Sequence, residues 1–230
     1  RASDLSAQDV INVVPIEGGV NGTGVTTRYW DCCKPSCAWV EAANITPPVA
    51  SCEADGVTQT GFDEQSGCAE EEEGYAFTCN NQQPTIINDT FSLGFVAASF
   101  SGGIDESLCC ACLLLTFEDE LEGKQLLAQV TNTGEDLVQN HFDIEMPGGG
   151  VGIFNMGCIR QWGAPEDGWG ERYGGVTSEE GCDDLPEVLQ EGCRYRFEWM
   201  NGVPNPNVTF YQVECPQQLI DITGCTVPTR

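Results

Sequence analysis

Fourteen cysteines in a chain of 230 residues constrain this fold more than any other feature. A cytosolic protein of this size would carry so many only to hold metal clusters. The chain has one histidine, His141, and a single C-x-x-C spacing, from Cys109 to Cys112, with no second copy to complete a four-cysteine site. Disulfides are therefore the reading, up to seven of them, formed in an oxidising compartment, with no metal and no cofactor expected. Four N-x-[ST] sequons, at Asn21, Asn44, Asn88 and Asn207, agree with that. No apolar stretch is long enough to span a membrane and no signal-peptide pattern opens the chain, so it reads as the mature form of a secreted, extracellular protein.

Charge narrows the partner. Nine Lys and Arg against 36 Asp and Glu give a formal net charge of -27, which repels nucleic acid and anionic membrane and favours a neutral or cationic partner. Most of these acids, including the run at 70–73, read as a solvated surface kept soluble by self-repulsion.

Residues 1–25 hold no cysteine and run into Gly18, Gly19, Gly22 and Gly24, so they read as an N-terminal extension ending in a flexible joint, with a short helix or strand at 6–14. The remainder, 26–230, reads as one domain. Residues 40–90 suit irregular loops stapled by bridges. Short runs rich in β-branched or aromatic residues then mark strands at 91–100, 110–117, 125–131, 141–146, 194–199 and 208–213. The second and third pair as a hairpin across 118–124. Helical signals are confined to 178–190 and 216–222. Six strands without βαβ alternation give a mainly β fold, a closed or nearly closed barrel with a few short helices in its connections.

Two carboxylate segments stand out from the acidic background. Asp31 lies in Thr-Thr-Arg-Tyr-Trp-Asp-Cys-Cys-Lys-Pro-Ser-Cys-Ala-Trp, residues 26–39, between an aromatic pair and paired cysteines that would aim its side chain and anchor its loop. Asp143 follows His141 by two residues, and in an extended strand the two share a face. The glycine run 148–152 lacks the Gly-Lys-Ser/Thr ending of a phosphate loop and reads as a close approach of bare backbone. With one histidine and no G-x-S-x-G elbow, a serine nucleophile has little support, and the cysteines are paired rather than reactive. Carboxylate chemistry remains, one acid protonating a leaving group while another activates water. Neutral polysaccharide suits it, with Tyr29, Trp30, Trp39 and Tyr173 available to stack on sugar rings.

Residues 27–37, Thr-Arg-Tyr-Trp-Asp-Cys-Cys-Lys-Pro-Ser-Cys, resemble the active-site signature of glycoside hydrolase family 45 endoglucanases. The Asn-His-Phe-Asp segment at 140–143, the Pro-Gly-Gly-Gly-Val-Gly-Ile-Phe run at 147–154 and Arg-Tyr-Gly-Gly at 172–175 match as well. The resemblance implies a six-stranded double-psi β-barrel with disulfide-stapled long loops and an open groove for β-1,4-glucan. It implies an endo-β-1,4-glucanase acting with inversion: Asp31 as base, Asp143 as acid and Asp136 as an auxiliary acid. Tyr29, Trp39, His141, Tyr173 and Thr27 would contact or support the substrate. The partner would be cellulose or cello-oligosaccharides, bound by a monomer. Inverting enzymes hold their two carboxyls roughly 6.5 to 9.5 Å apart, and the acid must keep its proton at working pH. The family's cysteine order implies the pairs Cys32–Cys158, Cys33–Cys68, Cys37–Cys109, Cys52–Cys79, Cys110–Cys225, Cys112–Cys215 and Cys182–Cys193. The pattern departs at Asn155, where the family commonly has an acid, and at Glu171, where it often has glutamine. Two other classes share the barrel: a non-hydrolytic, expansin-like wall-loosening or glucan-binding protein, and a storage or defence protein of the barwin type. Neither needs Asp31.

Overall fold

The computed structural model describes residues 11–42, 47–101, 106–134 and 139–227. The strands are β1 (Asn21–Tyr29), β2 (Thr85–Asn88), β3 (Phe91–Ser99), β4 (Cys112–Phe117), β5 (Gln125–Thr133), β6 (His141–Glu145) and β7 (Asn207–Val213). The α-helices are α1 (Met156–Trp162), α2 (Glu187–Glu198) and α3 (Gln217–Thr223). Hydrogen bonding runs β2-β3-β5-β4-β7-β1-β6, and β6 pairs back onto β3. Six strands thus close a barrel, and β2 is added on β3. Closure removes the open edges that would otherwise template aggregation. The pairs β1–β6 and β3–β5 are parallel, while the hairpin expected at β4–β5 is antiparallel.

Alternation along the strands divides two buried layers. Val96, Leu113, Leu115, Leu126, Phe142 and Ile144 fill one cluster with Phe210, which closes edge-to-face on Phe142. Leu93, Phe95, Leu114 and Leu127 face the other way and are covered by Leu219 of α3 and by Ile11 and Val13. Each such side chain contributes about 1.5 to 3 kcal/mol when fully buried. On β6, Phe142 and Ile144 take the barrel-filling positions. His141, Asp143 and Glu145 consequently share the opposite face.

Two sequence expectations are corrected here. Residues 194–199 are not a strand but the end of α2 and its cap, whose buried positions Leu189, Cys193 and Arg196 follow a helical period. Pro186 starts that helix, and Tyr195 stacks on Trp199 four residues later, with ring centroids 5.2 Å apart. The glycines read as a flexible joint belong in part to β1, which pairs with β7 from Asn21 to Val25. Gly24 is required there, because a Cβ would lie 2.9 Å from the Asn140 carbonyl oxygen and 2.9 Å from the Phe142 ring. The preceding residues continue along β7 through a bridge between Pro15 and Val213. Residues 1–10, and with them five of the nine residues of the segment 6–14 read as a short helix or strand, lie outside the described residues. The C-terminal helix appears as expected, entered at Pro216 and closed by Gly224 in the left-handed conformation.

All seven disulfides follow the pairing that the family resemblance implies. They staple long loops, among them the largely irregular stretch before β2, to the barrel.

Candidate active site

The end of β1 and the length of β6 run side by side in parallel register, Thr27 opposite Asp143 and Tyr29 opposite Glu145. This pairing joins two stretches more than a hundred residues apart in sequence. Asp31 lies just beyond β1, 9% exposed. Its Oδ1 accepts a hydrogen bond from the Cys33 amide at 2.9 Å. Three constraints fix the turn. The Trp30 amide donates to the Gly150 carbonyl, Cys32 adopts the left-handed conformation at φ 64°, and Cys32 and Cys33 are bridged to Cys158 and Cys68. A non-glycine residue at that φ persists only where its surroundings over-determine it, as two bridges do here. Burial pushes the Asp31 carboxyl up to about 6.

Asp143 is held by a short chain of hydrogen bonds. The Thr27 hydroxyl donates to Asp143 Oδ1 at 2.8 Å and lies 2.6 Å from His141 Nε2. A hydroxyl has one proton to give, so with it on Asp143 the imidazole donates through Nε2–H. Burial lowers the His141 pKa and so favours the neutral ring. Burial also raises Asp143, to about 7, against the pull of the Thr27 bond, and the Asp31 charge adds to the rise. The three residues Thr27, His141 and Asp143 therefore form one unit.

Of the aromatic candidates, Tyr29 lies against both acids. Tyr29 donates its hydroxyl to Glu145 Oε1 at 2.8 Å, and burial holds that phenol well above its ordinary range. Trp39 follows the turn of 3₁₀ helix at Ser36–Ala38, and the Lys34 ammonium sits 3.4 Å from its ring centroid. Lys34 is itself buried and donates to the Phe62 and Glu64 carbonyls. Tyr173 is 67% exposed, on a loop tied to β1 by the Arg28 Nε bond to the Gly174 carbonyl. The glycine run lies where bare backbone is needed: a Cβ on Gly149 would come within 2.8 Å of the Tyr29 amide nitrogen, and one on Gly150 within 2.8 Å of the Gly174 nitrogen. Asp136 lies outside the described residues.

Sequence reading missed Arg28, Lys34 and Glu145. Glu145 was open to detection, because it continues the i, i+2 alternation that set His141 beside Asp143. Among the described residues no group of three or more His, Cys, Asp or Glu is placed to hold a metal ion. The arrangement offers a buried carboxyl, Asp31, and a half-buried one, Asp143, both raised above the ordinary carboxylate range and both beside Tyr29, which is the equipment for proton transfer to one group and from another.

Comparison with known proteins agrees with that chemistry. The model of glycosyl hydrolase family 45 matches residues 23–226. An endoglucanase of Phaedon cochleariae is 50% identical over 98% of this chain and 93% of its own length. An endoglucanase of Cryptopygus antarcticus is 49% identical over 93% of both chains. The crystal structure of a cellulase from the same Antarctic springtail superposes with a TM-score of 0.84 at 49% identity, covering 90% of this chain and 98% of that one.

Proposed function

The chain belongs to glycosyl hydrolase family 45 and is a glycoside hydrolase of the endoglucanase kind; from that premise we propose that it cleaves internal β-1,4 bonds of cellulose and related β-glucans with inversion at the anomeric carbon. The observation that carries this reading is a pair of carboxyls brought to one site by the β1–β6 register, each with one oxygen held: Oδ1 of Asp31 by the Cys33 amide and Oδ1 of Asp143 by the Thr27 hydroxyl. Burial raises both, Asp31 to about 6 and Asp143 to about 7. A carboxyl raised in this way keeps its proton where an ordinary carboxyl has lost it, as a general acid must.

In the proposed reaction Asp31 takes a proton from water as its oxygen bonds to the anomeric carbon. The Cys33 amide holds Oδ1 and leaves Oδ2 for that task. Asp143 gives its proton to the glycosidic oxygen as the bond to the anomeric carbon breaks. Thr27 occupies Oδ1 of Asp143, which makes Oδ2 the proton-bearing oxygen. The two carboxyls then exchange protons with solvent and return to their starting states. Tyr29, Trp39 and Tyr173 would carry sugar rings, and Asp136, outside the described residues, would act as an auxiliary acid, on the strength of the family resemblance. Seven disulfides support secretion into an oxidising compartment, and action as a monomer is part of the same proposal.

A non-hydrolytic glucan-binding protein would have no use for a buried Asp31. The discriminating experiment replaces each acid. Asp31→Asn and Asp143→Asn should each lower turnover on a soluble cellulose derivative by roughly 10³-fold while the unfolding temperature stays within a few degrees. Near-wild-type turnover in either variant would end the assignment.

A further inference from the structure

Glu145 has no part in that reaction, yet at 2% exposed it is more deeply buried than Asp31 at 9%. It follows Asp143 by two residues on the same face of β6 and stands opposite Tyr29 on β1. Its Oε1 accepts the Tyr29 hydroxyl at 2.8 Å, while Oε2 is buried with no hydrogen-bond partner. The Thr131 hydroxyl on β5 is also buried with no other hydrogen-bond partner and lies close enough to Glu145 to act on its carboxyl, favouring the ionised form as the Tyr29 hydroxyl does. The titratable groups that bear on Glu145 are Tyr29 on β1, Asp31 beyond its end and Asp143 on β6, and β3 offers only Val96 and Ala97 beside this part of β6. No cation among the described residues compensates it. An ionised carboxylate in that position would be desolvated, without a cation and repelled by two other acids, and burial, the largest of these effects, outweighs the Tyr29 and Thr131 hydroxyls that favour it. A carboxylic acid keeps the Tyr29 bond at its carbonyl oxygen, and its O–H can use the Thr131 hydroxyl as acceptor.

We propose that Glu145 is a positioning acid that works with its proton on, fixing the Tyr29 hydroxyl, and with it the ring, beside the Asp31–Asp143 pair. The inference rests on the glucanase reading for its effect on turnover, but not for its protonation state. Burial and the neighbouring acids push the Glu145 carboxyl up to about 8, so it stays neutral throughout the range in which Asp31 and Asp143 are poised.

Glutamine reproduces the neutral acid, and leucine does not. Glu145→Leu should lower kcat/KM about tenfold, mainly through KM, as should Tyr29→Phe. The double variant should lose no more than either single one, because the two side chains act as a unit. Glu145→Gln should recover most of the loss near pH 6. If Glu145→Gln is as damaging as Glu145→Leu, or if the double variant loses the product of the two effects, the positioning role is refuted.

Thermal unfolding tests the proton without any substrate. The folded protein keeps a proton on Glu145 that the unfolded chain releases above about pH 4.5, so wild type must lose stability relative to Glu145→Gln as pH rises toward 8. A difference in unfolding temperature that stays constant between pH 4.5 and 8 refutes the neutral acid. A wild type inactive on β-glucan would instead overturn the functional reading, and the unfolding comparison would still decide the protonation of Glu145.

Discussion

Replacing Thr27 by valine removes one hydroxyl and almost no volume, and it should move the alkaline limit of the enzyme upward. The hydroxyl donates to Asp143 Oδ1 at 2.8 Å, a bond worth more to the carboxylate than to the carboxylic acid. A hydrogen bond to a charged group contributes about 1.5 to 3 kcal/mol against about 1 for a neutral one. The difference, on the order of 1 to 2 kcal/mol, corresponds to about one pH unit at 1.36 kcal/mol per unit. Without Thr27 the carboxylate form is less favoured, so the Asp143 pKa rises from about 7, by that one unit. The alkaline limb of kcat/KM reports the acid in the free enzyme and should follow it. The acid limb, which the proposed base Asp31 would set, should stay near about 6. Turnover at the optimum should fall about tenfold, as the Asp143 carboxyl loses its orientation. The assay is kcat/KM on a soluble cellulose derivative from pH 4 to 9. An alkaline limb that stays in place, or moves down, would refute this account of the site.

Three further outcomes follow from the framework around the acids. Removing the Cys32–Cys158 bridge should cost about 4 kcal/mol in urea unfolding, because Cys37–Cys109 still shortens the loop it closes, against about 3 kcal/mol for Cys182–Cys193, with its separation of 11; a smaller cost for Cys32–Cys158 would contradict it. Lys34→Met leaves the Phe62 and Glu64 carbonyls without their donor and strips the cation from Trp39, so KM should rise severalfold with kcat nearly kept; an unchanged KM would remove Trp39 from the binding surface. Gly150→Ala must accept φ 103° and a Cβ within 2.8 Å of the Gly174 nitrogen, so it should lower stability by about 2 kcal/mol or more in denaturant unfolding, whereas Gly163→Ala, with nothing within 4 Å, should cost less.

The parts of the molecule legible in the sequence were those written in local pattern or in a family signature. The β4–β5 hairpin and α3 were readable from alternation, Pro216 and Gly224. Asp31 and Asp143 stood out as candidates through the segments around them, and the disulfide pairing was readable only through the resemblance, since spacing cannot choose among so many pairings. What failed did so where tertiary contact overrode local signal. Tyr195, Phe197 and Trp199 look like a strand by composition, but their periodicity follows the helix begun at Pro186. Gly22 and Gly24 look like a joint, yet Gly24 is a glycine because β1 lies against Asn140 and Phe142. Glu145 resembled one more surface acid among 36 Asp and Glu, and only the β1–β6 register shows that it is buried beneath Tyr29.

The central claim is that Asp31 activates water on one side of the sugar while Asp143 protonates the leaving oxygen on the other. Anomer-resolved NMR of the first products released from a soluble β-glucan tests it most directly, read before mutarotation scrambles the signal. The account predicts that the new reducing ends appear first as the α-anomer; reducing ends that appear first as the β-anomer would show retention and contradict it.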